Sequence, residues 1–286
     1  MAIVLDNITY TYGVGTPFEK TALRGVSLTI ENGEFLGVIG HTGSGKSTFV
    51  QHLNGLLHPT TGTVTVNGVD ISASTEEAKK MRHKVGMVFQ YPEHQLFEET
   101  IAQDIAFGPK NLGLSADDVD ERVRDAMKFV GLDYDTYAER SPFHLSGGQM
   151  RRVAIAGVVA MDPDFLVLDE PSAGLDPFGR EEIFEEIIRL HKEKGITVIL
   201  VSHNMEDISR MASRLVVLDK GRIVLDGEPM DIFNNHRDEL QAVGVDVPPV
   251  SVTMEYLREQ GFDVSNRVLS VDDAVQAILE GGNHVK

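Results

Sequence analysis

An α/β fold with a largely parallel sheet is what this sequence of 286 residues predicts, and three observations carry the prediction. Short β-branched runs recur along the chain, and several, as in FLGVIG and TVILVS, stay apolar over most of their length, as in strands buried on both faces. Helical patterns alternate with those runs, the arrangement expected of strand-helix-strand units. A glycine-rich turn, GHTGSGKS, stands between one such run and a helical pattern, the context in which backbone amides cradle phosphate groups.

Taken in order, the strand candidates are IVLDNITYTY, VSLTI, FLGVIG, GTVTVNG, KVGMVFQ, FLVLDE, TVILVS, RLVVLD and GRIVLDG. The clearest helical patterns cover residues 46–57, 116–130, 150–161, 181–192 and 205–212. After Gly227 the pattern changes. EPMDIFNN reads as a short helix, and the paired Pro248 and Pro249 in DVPPVS break the chain before a tail with two more helical patterns. A boundary is therefore expected near residue 230, with a folded appendage over residues 231–286. Its last helix opens with Ser270 followed three residues later by Asp273, a variant of the capping box, and continues AVQAIL.

Composition narrows the function. The chain has no cysteine, which excludes disulfides and thiolate metal sites and fits a reducing compartment. Its 44 acidic residues against 26 Lys and Arg give a net charge of −18, the wrong sign for a nucleic-acid surface. The start, MAIVLDNITY, lacks the basic and apolar succession of a signal peptide, and no apolar run approaches the roughly 18 residues that span a bilayer. A soluble protein is expected, free to dock on a membrane partner.

The phosphate loop carries the first chemistry. Gly40, His41, Thr42, Gly43, Ser44, Gly45, Lys46 and Ser47 match G-x-x-x-x-G-K-[ST] after a strand and before a helix, and Thr48 continues that helix. The glycines let consecutive amides turn inward, Lys46 reaches toward β- and γ-phosphates, and the Ser47 hydroxyl suits Mg²⁺. Further on, FLVLDE ends in two adjacent carboxylates. Asp169 is placed to meet the metal and Glu170 to meet a water lined up with the γ-phosphate. Gln90 closes KVGMVFQ and His203 follows TVILVS, so both polar groups can reach the same sheet edge. A further turn, SPFHLSGGQMRR, sets Ser146, Gly147 and Gly148 before an apolar helix, where unpaired amides and the helix dipole favour an anion.

With these pieces in order the chain resembles the ATPase subunits of ABC transporters over residues 2–230: Walker A at 40–47, the Q-loop Gln90, the signature Leu145-Ser146-Gly147-Gly148-Gln149, Walker B at 165–170, a D-loop ending in Asp176, and the switch His203. The resemblance implies a P-loop NTPase of the ABC type. Its mixed sheet core would carry an antiparallel β subdomain, a helical signature subdomain at about 91–161, and a small α/β or helical C-terminal appendage. It also implies an aromatic stacked on adenine. Tyr12 matches by position, and Tyr10 points to the same face at period two. In this family two ATPase domains pack head to tail, so the signature of one chain covers the nucleotide held by the other. Gln90 then joins Ser47 and Asp169 around Mg²⁺, and Glu170, His203, Gln90 and Lys46 carry the hydrolysis of ATP.

The stretches YGVGTPFEKTAL, VFQYPEHQLFEETI, LSGGQMRRVAIAGVVAM and VLDEPSAGLDPFGR are similar to one subgroup, the ATPases of energy-coupling factor importers for vitamins and metal ions, and to the second of its two paralogous ATPases. That likeness implies a peripheral protein on the cytoplasmic face of the membrane. It would pair with a sister ATPase, with a homodimer as the option in isolation. It would also grip a transmembrane T component through coupling helices and serve exchangeable S components. The appendage would contribute to ATPase pairing. Glu93, Glu98 and Glu99 would offer charge to the coupling helices, and Tyr91, Leu96 and Phe97 an apolar floor. The alternative is a soluble ABC-type ATPase that remodels a non-membrane assembly. Such proteins often carry two ATPase domains, a coiled-coil insertion or a basic face, and this chain shows none of them.

Overall fold

The computed structural model describes residues 1–265 and 267–281. The chain starts with β1 (Ala2–Tyr12), β2 (Lys20–Glu31), β3 (Phe35–Ile39), α1 (Lys46–Leu53), β4 (Thr61–Val66), β5 (Val69–Asp70), α2 (Glu76–His83) and β6 (Val85–Val88). Four helices follow, α3 (Ile101–Asn111), α4 (Ala116–Phe129), α5 (Tyr134–Tyr137) and α6 (Gly147–Val159). Then come β7 (Phe165–Asp169), α7 (Pro177–Lys194), β8 (Thr197–Val201), α8 (Met205–Met211), β9 (Arg214–Asp219) and β10 (Arg222–Gly227). The chain closes with α9 (Pro229–Asn235), α10 (Arg237–Ala242), α11 (Pro249–Glu259) and α12 (Val271–Gly281).

Two sheets form. The first is antiparallel, in the order β2-β1-β4-β5; the second has the order β10-β9-β3-β8-β7-β6 and is parallel except for β10. Every residue of β3, β7 and β8 is buried, as the apolar runs require of strands covered on both faces. One core cluster lies between the two sheets, where Ile3, Leu5 and Ile30 meet Val38, Val167 and Phe49 of α1. The other covers the opposite face with helices, packing Ile105, Val123, Ile155 and Phe184 against Leu166, Leu168 and Leu200. The mixed sheet, antiparallel unit and helical layer are those expected.

Several boundaries move. The expected helix at 150–161 begins at Gly147, because Ser146 caps it and Gln149 returns a bond to the Ser146 amide, a complete capping box. The helix expected at 181–192 starts at Pro177, with Asp176 as its cap. α3 has no counterpart among the sequence expectations; Pro109 inside it masks a helix capped by Thr100 and buried through Ile101 and Ile105. Pro248 and Pro249 begin α11 rather than merely break the chain, with Pro249 in the first turn.

A packing break does not occur at residue 230. Ile232, Phe233, Leu240 and Val245 are buried in the main helical core, and a separate small cluster forms only from Met254, Val264, Val268 and Ala274. Among its described residues the appendage holds helices and no strand. Among the described residues no helix is long and apolar enough to cross a membrane.

Candidate functional site: a phosphate cleft at the sheet edge

Because β3, β8, β7 and β6 run parallel and side by side, the loops that leave their C-terminal ends converge. They line a cleft of about 920 Å³ that holds Thr42, Gly43, Gly45, Lys46, Ser47, Thr48, Gln90, Asp169, Glu170 and His203 together. Four separate stretches of sequence thus meet in one place.

The phosphate loop is shaped by its glycines. Gly40 has φ 151°, and a Cβ there would stand 2.3 Å from the Leu218 carbonyl oxygen; Gly45 has φ 111° and a Cβ would stand 2.9 Å from the Ala22 oxygen. Gly43, with φ 85°, faces open space instead. The Lys46 ammonium donates to the carbonyls of Gly40 at 2.6 Å and His41 at 3.2 Å, so it lies across the loop. Burial lowers its pKa, and the nearby Glu170 and Asp169 charges oppose that shift. His41 is fixed at the rim, its Nε2 2.9 Å from Asp219. The buried Ser44 hydroxyl has no hydrogen-bond partner among the described residues.

At the end of β7, burial raises the Asp169 pKa, and the nearby Ser47 hydroxyl pulls in the other direction. Glu170 has φ 54°, a left-handed conformation that costs a residue with a side chain about 1–2 kcal/mol. Its amide donates to the Val201 carbonyl at 3.0 Å, which pins the turn to β8. Burial, and next the Asp169 charge, push its carboxyl up to about 7. His203 Nε2 lies 3.1 Å from Glu170 Oε1 but is not aligned as a hydrogen bond, so this buried oxygen retains an unused acceptor. Burial, then the Lys46 charge, lower the His203 pKa, and the Asp169 charge opposes them.

Tyr12 lines the mouth of the cleft, 41% exposed, with its hydroxyl 3.1 Å from Thr48 Oγ1. Tyr10 sits behind it, its ring edge-on to Tyr12 at 4.7 Å and to His52 at 4.8 Å, and packs into the core. Lys20, Arg24, Lys220 and Arg222 add cations at the same mouth, which no sequence pattern singled out.

The signature turn lies elsewhere. Leu145 packs on the helical core, Gln149 donates to Tyr137 Oη at 3.4 Å, and Leu145, Ser146, Gly147, Gly148 and Gln149 do not line the cleft. A Cβ on Gly147 or Gly148 would meet nothing within 4 Å, so the helix start is open. Asp176 accepts from the Gly179 amide at 2.7 Å and serves as a cap.

In the segment after Gln90, the expected surface divides. Tyr91 and Phe97 are exposed, and Phe97 stacks edge-on with Phe107 at 4.9 Å. Glu99 is exposed and Glu98 half-buried. Leu96, 8% exposed, belongs to the core rather than to a surface floor, since the turn at Pro92–Gln95 folds it inward. Glu93 is already paired with the buried Arg151 and is no free rim charge.

Comparison with known proteins agrees with this geometry. The family model described as ABC transporter matches residues 23–173. The energy-coupling factor transporter ATP-binding proteins EcfA2 of Clostridium tetani and Clostridioides difficile are 54% and 50% identical to this chain; both alignments cover 98% of it and 97% of the relative. Among solved structures, cbiO1 from Clostridium perfringens, described as part of the ABC transporter complex cbiONQ, superposes with a TM-score of 0.73 at 36% identity over 88% of this chain and 98% of its own. The dimeric ATP-binding cassette MJ0796 bound to ADP and Pi gives 0.70 at 30% identity, covering 79% and 98%. The chain belongs to the ABC transporter ATP-binding proteins, and within them to the energy-coupling factor group. It is an ATPase whose activity is coupled to transport.

Proposed function

We propose that this chain is the second ATPase of an energy-coupling factor importer for vitamins or metal ions, held peripherally at the cytoplasmic face of the membrane. In this reading it pairs with a sister ATPase and grips a transmembrane T component, which serves an exchangeable S component. One observation carries the pairing: four sheet-edge loops of this chain, with the β1–β2 and β9–β10 ends at its mouth, line the cleft, while a second anion turn at Ser146 stands open and outside it. A nucleotide in the cleft meets such a turn only when another chain supplies it. The curated relatives, named as energy-coupling factor transporter ATP-binding proteins, support the importer. The appendage at 231–286 takes a share of the pairing in this reading.

Each residue then has a role. Tyr12 stacks on adenine, because its exposed ring faces the cleft while Tyr10 is committed to the core. The phosphate-loop amides from His41 to Thr48 surround the phosphates, Gly43 leaves them room, and Lys46 turns from its carbonyl partners to the β- and γ-oxygens. The hard oxygen donors Ser47, Gln90 and Asp169 suit Mg²⁺. Among the described residues no three acidic or histidine side chains form a cage, which fits an ion that completes its shell with substrate oxygens and water. Bound there, the ion would neutralise charge developing between the phosphates. Glu170 Oε1, unused and facing His203, accepts a proton from the attacking water or orients it. Across the dimer, Ser146, Gly147 and Gly148 close over the partner's γ-phosphate.

Purification in mild detergent tests the importer reading. An integral membrane subunit and a sister ATPase should co-purify, and a purely soluble assembly would contradict it. The variant Phe97→Ala with Glu98→Ala should keep ATP binding yet lose at least half of assembly and uptake in reconstituted vesicles; normal transport would remove residues 91–99 from the coupling surface.

A further inference from the structure

Arg151 stands on the second turn of α6, and its side chain is 3% exposed. A buried guanidinium persists only when its donors are satisfied, and here each has a partner. Nε and Nη2 donate to both carboxylate oxygens of Glu93 at 3.2–3.3 Å. Nη1 donates to the Pro171 carbonyl at 3.0 Å and to the Ala173 carbonyl at 2.8 Å. Glu93 lies in the short turn three residues beyond Gln90, and Pro171 immediately follows Glu170. The same α6 opens at the Ser146 capping box. A single planar group on the helix that presents the signature thus ties together two loops, the one after Gln90 and the one after Glu170.

We propose that Arg151 is a positioning residue that carries a displacement of the 91–99 segment to Glu170 and to the signature turn, so that engagement of the membrane partner sets the rate of hydrolysis. The inference rests on the functional reading above, in which Glu170 and Ser146 act on nucleotide and the exposed residues of the 91–99 segment face the partner. Arg151 does not line the cleft, so its effect belongs on turnover rather than on nucleotide affinity. Lysine offers one point charge in place of the five-donor fork and reaches only part of the set. Coupling of this kind is demonstrated by non-additivity between the linked groups, not by their proximity.

The test uses the complete complex, co-purified with its membrane partner and reconstituted in vesicles, for Arg151→Met, Arg151→Lys, Glu93→Gln and the double variant Glu93→Gln with Arg151→Lys. ATP affinity by titration, kcat, KM, uptake and melting temperature are recorded below every melting transition. The expected result is ATP affinity within about twofold of wild type, kcat down about tenfold or more in Arg151→Met, partial retention in Arg151→Lys, and a double-variant loss smaller than the product of the single losses. A merely structural role would lower the melting temperature and leave kcat per folded chain unchanged; that outcome overturns the inference, as do multiplicative losses or a loss confined to KM. Where Arg151→Met does not fold, Glu93→Gln and Arg151→Lys decide it, and wild-type kcat in both overturns it. A wild-type complex that hydrolyses no ATP would instead overturn the functional reading, and this inference with it.

Discussion

Glu170 holds two kinds of tension at once, a left-handed backbone and a carboxyl pushed up to about 7 by burial and by Asp169. Both are stabilised by the β7 and β8 ends on either side, which is how a strained group persists at a site. The raised value fixes the sign of a pH effect. Below about pH 7 the free protein holds Glu170 protonated and unable to take a proton from water, so kcat/KM for ATP should rise with pH and level off above 7. A rate profile from pH 5.5 to 8.5 measures this; a flat profile would contradict the assignment. Glu186 provides a contrast outside the site. Burial pushes it to about 7 despite Arg152 and Arg189, and one of its oxygens has no partner. The folded state keeps its proton up to about pH 7, whereas the unfolded chain releases it near 4.5, so stability falls as pH rises across that window and stays lost above it. Glu186→Gln should therefore stabilise the chain at pH 8 by on the order of 1–2 kcal/mol, and by nothing near pH 4.5. Paired thermal melts at the two pH values would show it, and equal effects at both would refute the burial argument.

At the scale of elements, α6 separates folding from function. Gly147 and Gly148 occupy its first turn with free space around them, so alanine costs the fold nothing and can gain up to about 1 kcal/mol of helix propensity. The same methyl groups would keep a partner's phosphate away from the amides. Gly147→Ala with Gly148→Ala should then hold or raise the melting temperature while lowering ATPase turnover about tenfold or more; unchanged turnover would place the signature outside the reaction. The sequence announces such elements unevenly. Strands β3, β7 and β8 were legible because burial on both faces demands an apolar run, and the phosphate loop because glycine at Gly40 and Gly45 is a steric necessity. α3 was hidden by Pro109, and the true start of α6 by two glycines that read as a turn until the Ser146 cap is seen. Arg151 was invisible for another reason. An arginine on a polar-looking turn reads as surface, and only the fold brings Glu93 and the Pro171 carbonyl to it across gaps of 58 and 20 residues. Leu96 was misplaced likewise, since the local turn decides its side.

For the whole molecule, the two sheets and the helical layer serve to bring Lys46, Asp169, Glu170 and His203 into one cleft while leaving Ser146 outside it. The net charge of −18 favours solubility, and the cations Lys20, Arg24 and Arg222 at the mouth set a local field of the opposite sign where a polyanion enters. In the proposed function a site shared between chains accounts for that division, and its turnover depends on an intact carboxylate at the end of β7. This cleft hydrolyses ATP through Glu170 in the proposed function. Its most direct test is the steady-state ATPase rate of Glu170→Gln, measured beside its equilibrium binding of ATP. In this variant ATP should bind as in the wild type, a closed dimer should accumulate, and turnover should fall on the order of a hundredfold or more. Turnover near the wild-type rate, with ATP bound normally, would contradict it.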